Sequence, residues 1–220
     1  MAGNPLKFGV ILSGCGVYDG AEIHESVLTL LAINRHGAEA RIYAPNIPQH
    51  HVVNHLTGDE MPESRNVLVE SARIARGKIA DLAAFKTEDV DALILPGGFG
   101  AAKNLSDFAV KGPDCTVNPE VERAIKAMVA AGKPVGALCI APAILAKVLG
   151  DVELTIGSDK GTAEALESLG AKHKDTTHGE IVVDRRHKVV TSPCYMLEAS
   201  VAQIAAGAES TVKALIGLAR

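Results

Sequence analysis

Pro134-Val-Gly-Ala-Leu-Cys139-Ile-Ala-Pro142 is an apolar run that ends in a cysteine and turns at once into a stretch suited to open a helix. A strand with no polar residue is buried on both faces, which is the habit of parallel sheets. Pro142 fits a first helical turn, where its missing N–H costs nothing. The same pattern recurs outward along the chain. Ala92-Leu-Ile-Leu95 is a second fully apolar strand, closed by Pro96-Gly97-Gly98, and Phe8–Ser13 is a third, followed by a helix over Ala21–Asn34. Arg41–Ala44 ends at Pro45, Asn46–Gly58 reads as a polar loop, and Glu63–Ala75 fits an amphipathic helix with Val67, Leu68 and Ile74 on one face. Helices are predicted over Glu120–Ala131, Ala141–Leu149, Gly161–Leu169 and Glu198–Leu218, with Ile181–Val183 and Lys188–Thr191 as a strand pair. Strands alternating with helices predict an α/β fold: a mostly parallel sheet covered by helices on both faces. No repeat, low-complexity tract or linker interrupts the chain, so residues 1–220 read as one domain.

Composition narrows the function. The 220 residues are 47% hydrophobic and 22% charged, which excludes a disordered chain. A net charge of −4 gives no electrostatic case for nucleic acid or an acidic membrane. Only 3% of residues are aromatic and none is Trp, which disfavours base-stacking or sugar-binding platforms. The longest apolar runs fall well short of the ~18 residues of a membrane span. Met1–Lys7 supplies neither a signal-peptide core nor an Arg-rich transit segment, so the expectation is a cytoplasmic protein acting on a small molecule. Cys15, Cys115, Cys139 and Cys194 include no Cys-x-x-Cys pair, and reduced thiols are expected.

Cys139 has the setting of a nucleophile elbow: strand, nucleophile, helix, with Ala137 and Ala141 as the small residues two positions to either side. A thiol at a helix N-terminus meets unpaired N–H groups, which favours the thiolate. Gly97 and Gly98, just past a buried strand, allow backbone to approach a substrate; the Gly98 and Ile140 amides are candidates for an oxyanion hole. A third segment, Gly14-Cys-Gly-Val-Tyr-Asp-Gly-Ala-Glu22-Ile-His-Glu25, follows the first strand and opens a helix at the sheet edge where such folds bind ligands. Glu22 and Glu25, at i and i+3, share a face, and either can serve as proton shuttle to Cys139. His24 and Cys15 are candidates for lining the same pocket.

Other signals are weaker. Gly14-x-Gly16 lacks the third glycine and the acidic partner of a dinucleotide fingerprint, so no nucleotide cofactor is expected. His50, His51 and His55 match no zinc spacing, and no metal is expected. His178-Gly-Glu180 is a His-x-Glu pair in a polar turn, available in principle to a Cys-His-Glu triad.

The Pro-Gly-Gly turn and the Ala-x-Cys-x-Ala-Pro elbow together resemble the PfpI-like class I glutamine-amidotransferase-like superfamily. Leu12–Gly20, Glu63–Val67 and Pro96–Asn104 are similar to its ElbB subgroup, described as glyoxalase-like and named for enhanced lycopene synthesis. The resemblance runs from Phe8 to the last helix. It implies a flavodoxin-like three-layer sandwich, a homodimer, a nucleophile at Cys139, and a glutamate that hydrogen-bonds the thiol, at Glu25 first and Glu22 second. Amidotransferases carry a His-x-Glu after a late strand, where this chain has Ser192-Pro-Cys-Tyr-Met196; protease-like members place His after the cysteine, where this chain has Ile140. The expected function is therefore a cofactor-independent glyoxalase, a lyase converting small α-oxoaldehydes such as glyoxal or methylglyoxal to 2-hydroxy acids through a Cys139 hemithioacetal. The alternatives are a glutaminase or amidotransferase, and a non-catalytic redox-sensing or partner-binding protein.

Overall fold

A computed structural model describes residues 4–220; Met1, Ala2 and Gly3 of the N-terminal stretch lie outside the described residues. Seven strands form the main sheet: β1 (Lys7–Ile11), β2 (Glu39–Ala44), β3 (Ala80–Asp81), β4 (Ala92–Leu95), β5 (Val135–Leu138), β6 (Val182–Asp184) and β7 (Val189–Ser192). Their spatial order is β6-β7-β5-β4-β1-β2-β3, and every pairing is parallel except β6 with β7. The eight helices are α1 (Ile23–Arg35), α2 (Val67–Ile74), α3 (Phe99–Lys103), α4 (Phe108–Lys111), α5 (Pro119–Ala130), α6 (Pro142–Leu149), α7 (Lys160–Ser168) and α8 (Val201–Ala219).

Side-chain alternation along the strands creates the three layers. Phe8, Val10, Ala92, Ile94 and Val190 point to one face, where they pack with Ile33 of α1 and with Val212 and Leu215 of α8. Ile11, Leu93, Leu95, Val135 and Ala137 point to the other, against Val121, Ile125 and Met128 of α5 and Ile144 and Leu145 of α6. The central strands are buried on both faces, as their unbroken apolar runs require. The flavodoxin-like sandwich is thus present.

Three local expectations change. The helix read from Glu63 begins at Val67, because the Asn66 side chain accepts from the Val69 N–H and caps it there. The loop over Asn46–Gly58 contributes Val52–Val53 to a small antiparallel ladder with Glu60–Met61. The edge strand Ala80–Asp81 was not expected; two residues give no periodicity, and pairing with Tyr43 and Ala44 defines it.

The chain leaves β1 toward β2 and β3 on one side, and returns to place β4, β5 and β7 on the other. This reversal between β1 and β4 is the crevice where open α/β sheets bind ligands. Two loops are clamped there: the Phe99 N–H donates to the Val17 carbonyl, and the Gly100 N–H to the Gly20 carbonyl, both at 2.8 Å. A Cβ on Gly100 would sit 2.5 Å from the Ser13 oxygen and 2.6 Å from Gly20 backbone atoms. Backbone cannot step aside as a side chain can, so Gly100→Ala is expected to lose about 2–3 kcal/mol. Urea denaturation checks this: a midpoint equal to wild type would contradict the clamp.

Candidate active site

Each site residue stands at a carboxyl end of a central strand. Cys139 follows β5 with φ +58°, a left-handed conformation that L-residues avoid and that marks the sharp turn of an elbow. Its N–H donates to the Ser192 carbonyl at 3.0 Å, and the Ala141 N–H closes the turn onto the Leu138 carbonyl at 2.9 Å. The side chain is 7% exposed.

Glu25 comes from the first turn of α1 and is fully buried. One carboxyl oxygen accepts the Gly97 N–H at 2.8 Å, the other the Tyr195 N–H at 3.1 Å, and the Cys139 thiol lies within hydrogen-bonding reach of the same group. Burial outweighs these hydrogen bonds, aided by the neighbouring Glu22 charge, and raises the Glu25 carboxyl to about 7. Glu22 has a different position. It is the N-cap of α1, and its carboxyl accepts the Glu25 N–H at 2.7 Å. The two neighbouring acids therefore play different parts. Glu25 meets the thiol, and Glu22 caps the helix that carries it.

The amides of Gly98 and Ile140 both act on the Cys139 thiol, each lowering its value. The helix-start environment was expected to favour the thiolate. Instead, burial first and the Glu25 charge second push the Cys139 thiol well above its ordinary value, and the two amides offset only part of that. A proton held in hydrocarbon is cheaper than an isolated buried charge.

Gly97 sits beneath these groups. A Cβ there would fall 2.4 Å from the Cys139 Cβ and 2.9 Å from a Glu25 carboxyl oxygen, so thiol and carboxyl can meet only over a glycine. Cys139, Gly98, Ile140 and Tyr195 border a cavity of about 370 Å³.

The remaining candidates lie elsewhere. His24 is exposed, with Nδ1 2.8 Å from the Tyr195 hydroxyl. Cys15 is half-buried, with Glu70 and Arg73 of α2 and Asp19 as its charged neighbours; burial raises its thiol. The His178 ring contacts the Glu198 carbonyl at 2.8 Å, and Glu180 accepts the Thr177 N–H. His51 lies 3.1 Å from the Lys103 ammonium, while His55 contacts the Val53 carbonyl and accepts the Tyr18 N–H. Among the described residues no cluster of His, Cys, Asp and Glu could hold a metal. All four cysteines are free thiols, and Cys194 packs beside Cys139 with Leu138, Ile204 and Ala208.

Tyr195 was missed as a functional residue. Its contribution to Glu25 is made by backbone, which a side-chain reading cannot register; its position just past β7 was the available signal.

An acid-bearing first helix, a Pro-Gly-Gly turn and a strained cysteine at the switch point define an elbow-cysteine α/β protein of the amidotransferase-like class. The DJ-1/PfpI family model matches residues 17–198, and the chain belongs to that family. It is 51% identical to the human glutamine amidotransferase-like class 1 domain-containing protein 3, mitochondrial, over 96% of this chain and 83% of that protein. The rat ES1 protein homolog, mitochondrial, is 50% identical over 96% and 84%. A crystal structure of an isoprenoid biosynthesis protein with an amidotransferase-like domain from Ehrlichia chaffeensis superposes with a TM-score of 0.90 at 35% identity, covering 96% of this chain and 99% of that one. The ElbB-like resemblance stands with these matches. The cytoplasmic expectation does not: relatives at about half identity are mitochondrial by name. Composition and apolar run length carry no information about compartment.

The raised carboxyl has a consequence for stability. The ordinary value is 4.5 and the folded value about 7, so the native state keeps a proton that the unfolded chain releases. This contribution is fully present below the ordinary value and is lost as pH rises through the folded value, on the order of 3 kcal/mol in all. Glu25→Gln removes the ionisable group, so its unfolding free energy should decline less than wild type across that window. Equal pH slopes in urea titrations would refute the raised carboxyl.

Proposed function

We propose that this protein is a cofactor-independent glyoxalase that hydrates an α-oxoaldehyde to a 2-hydroxy acid, with Cys139 as nucleophile and Glu25 as proton shuttle. The observation that carries the reading is the buried carboxyl beside the thiol, with the Gly98 and Ile140 amides acting on the same sulfur.

As the Cys139 sulfur attacks the aldehyde carbon, its proton passes to Glu25, and the carbonyl oxygen becomes a hemithioacetal oxygen near the Gly98 and Ile140 amides. Glu25, returned to its ionised form by proton loss to the oxygen, removes the C–H proton from the thiol-bearing carbon to give an enediol. It then delivers a proton to the neighbouring carbon. The product is a thioester of the 2-hydroxy acid; water cleaves its C–S bond, releasing the acid and regenerating the thiol. The two carbons exchange oxidation levels and water is the sole co-reactant, so no external oxidant or reductant is needed. A carboxyl near 7 suits this role, because both of its protonation states are populated at neutral pH.

A glutaminase would need a base on the thiol. His178 is turned to the Glu198 carbonyl, which supports the aldehyde reading over that one.

Incubation with glyoxal or methylglyoxal in the absence of glutathione, with glycolate or lactate identified by chromatography, tests the reaction. Wild type is expected to turn over repeatedly, Cys139→Ser to make no hydroxy acid, and Glu25→Gln to lose about 10²–10⁴ in kcat. Hydroxy-acid formation by Cys139→Ser at the wild-type rate would overturn the mechanism.

A further inference from the structure

The cavity at Cys139 is much larger than the smallest oxoaldehydes require. Its volume of about 370 Å³ falls in the range that holds drug-sized ligands, whereas glyoxal and methylglyoxal have only four and five heavy atoms. Beyond the reacting groups its walls are Val17, Phe99, Ile140 and Met196, with Thr162 and Tyr195 as the hydroxyl-bearing residues.

Among the described residues no charged side chain lines this space. Lys103, four residues beyond Phe99, is outside the lining: its ammonium donates to the Tyr18 carbonyl at 3.2 Å, lies 3.1 Å from His51 and sits over the Phe99 ring, 4.7 Å from its centroid. The Tyr195 hydroxyl is engaged at its outer end by His24. With the Lys103 ammonium committed to the Tyr18 carbonyl and the Phe99 ring, a phosphate, a carboxylate or an amino-acid zwitterion would meet no charged side chain in the lining itself, at a desolvation penalty. An apolar substituent would gain from every contact. Phe99 is 46% exposed, and so presents apolar surface to solvent at the same site.

Resting on the glyoxalase reading, we infer that the site selects uncharged α-oxoaldehydes carrying a bulky apolar substituent, branched alkyl or phenyl, over glyoxal and methylglyoxal. The chemistry is unchanged: sulfur adds to the aldehyde carbon, one proton moves from that carbon to its neighbour, and water cleaves the thioester. Phenylglyoxal plus water gives mandelate.

Two measurements separate this inference from the reading beneath it. The first is kcat/KM for phenylglyoxal and for methylglyoxal, each divided by its rate of addition to a free small thiol. Wild type should favour phenylglyoxal by about tenfold or more, and Met196→Gln, of similar volume but polar, should lower that ratio at least about threefold. The second is alkylation of Cys139 by N-phenylmaleimide and by maleimide, followed by peptide mass spectrometry and normalised to glutathione. The phenyl reagent should again be favoured, less so in Met196→Gln, with no labelling at position 139 in Cys139→Ser. Turnover without an apolar preference overturns the inference and leaves the glyoxalase reading intact. Maleimide preference without aldehyde turnover overturns the reading and keeps the apolar selectivity. Equal normalised rates for both maleimides overturn the inference even where turnover is absent.

Discussion

Glu25 is a fully buried carboxyl, held beside a thiol by the backbone amides of Gly97 and Tyr195. A buried carboxylate is unfavourable unless its oxygens are satisfied, and here satisfaction requires three segments to arrive together. α1 must bring the acid, the turn after β4 must offer the Gly97 amide without a side chain, and the segment after β7 must offer the Tyr195 amide. Glu22 takes part indirectly, by capping the helix and accepting the Glu25 N–H. The parallel sheet meets the requirement because it delivers all of these to one carboxyl edge, on either side of the β1/β4 reversal.

The same constraint shapes the chemistry. With the thiol pushed well up and the carboxyl raised to about 7, the site rests as a protonated thiol beside a carboxyl that is near its own midpoint at neutral pH, not as a standing thiolate. In the proposed glyoxalase reaction, attack on a carbonyl is coupled to proton transfer to Glu25, which then moves a second proton between carbons. The proposed reaction has no step that calls for a histidine, in keeping with Ile140 and Ser192–Met196 standing at the positions where the resemblance places a His in related enzymes. The proposed preference for an apolar substrate belongs to the same logic, since the burial that raises both groups also disfavours a charged substituent.

Much of this was legible in the sequence because the central strands advertise themselves. Ala92–Leu95 and Val135–Leu138 are unbroken apolar runs with clear stops, and their bounds were read almost to the residue. The elbow was legible for the same reason, through the spacing of Ala137, Cys139 and Ala141. Edge strand β3 was not, since two residues beside a loop carry no pattern. Glu22 and Glu25 could not be told apart by spacing; the distinction depends on where α1 starts, and an acid acting as its own helix cap looks identical to a first-turn acid. The protonation of Cys139 was misjudged because a helix N-terminus is visible in sequence and burial depth is not. Tyr195 escaped because it works through its N–H.

The most direct test of the coupled thiol and carboxyl is the pH dependence of Cys139 alkylation by iodoacetamide, followed by peptide mapping in wild type and Glu25→Gln. If the Glu25 carboxylate takes the thiol proton as the sulfur attacks, wild type shows an inflection about 7, where that carboxyl ionises. In Glu25→Gln that inflection vanishes, and reactivity rises only at the high pH set by burial of a lone thiol. Superimposable profiles for the two proteins, with a single inflection at the ordinary thiol value, would contradict the account.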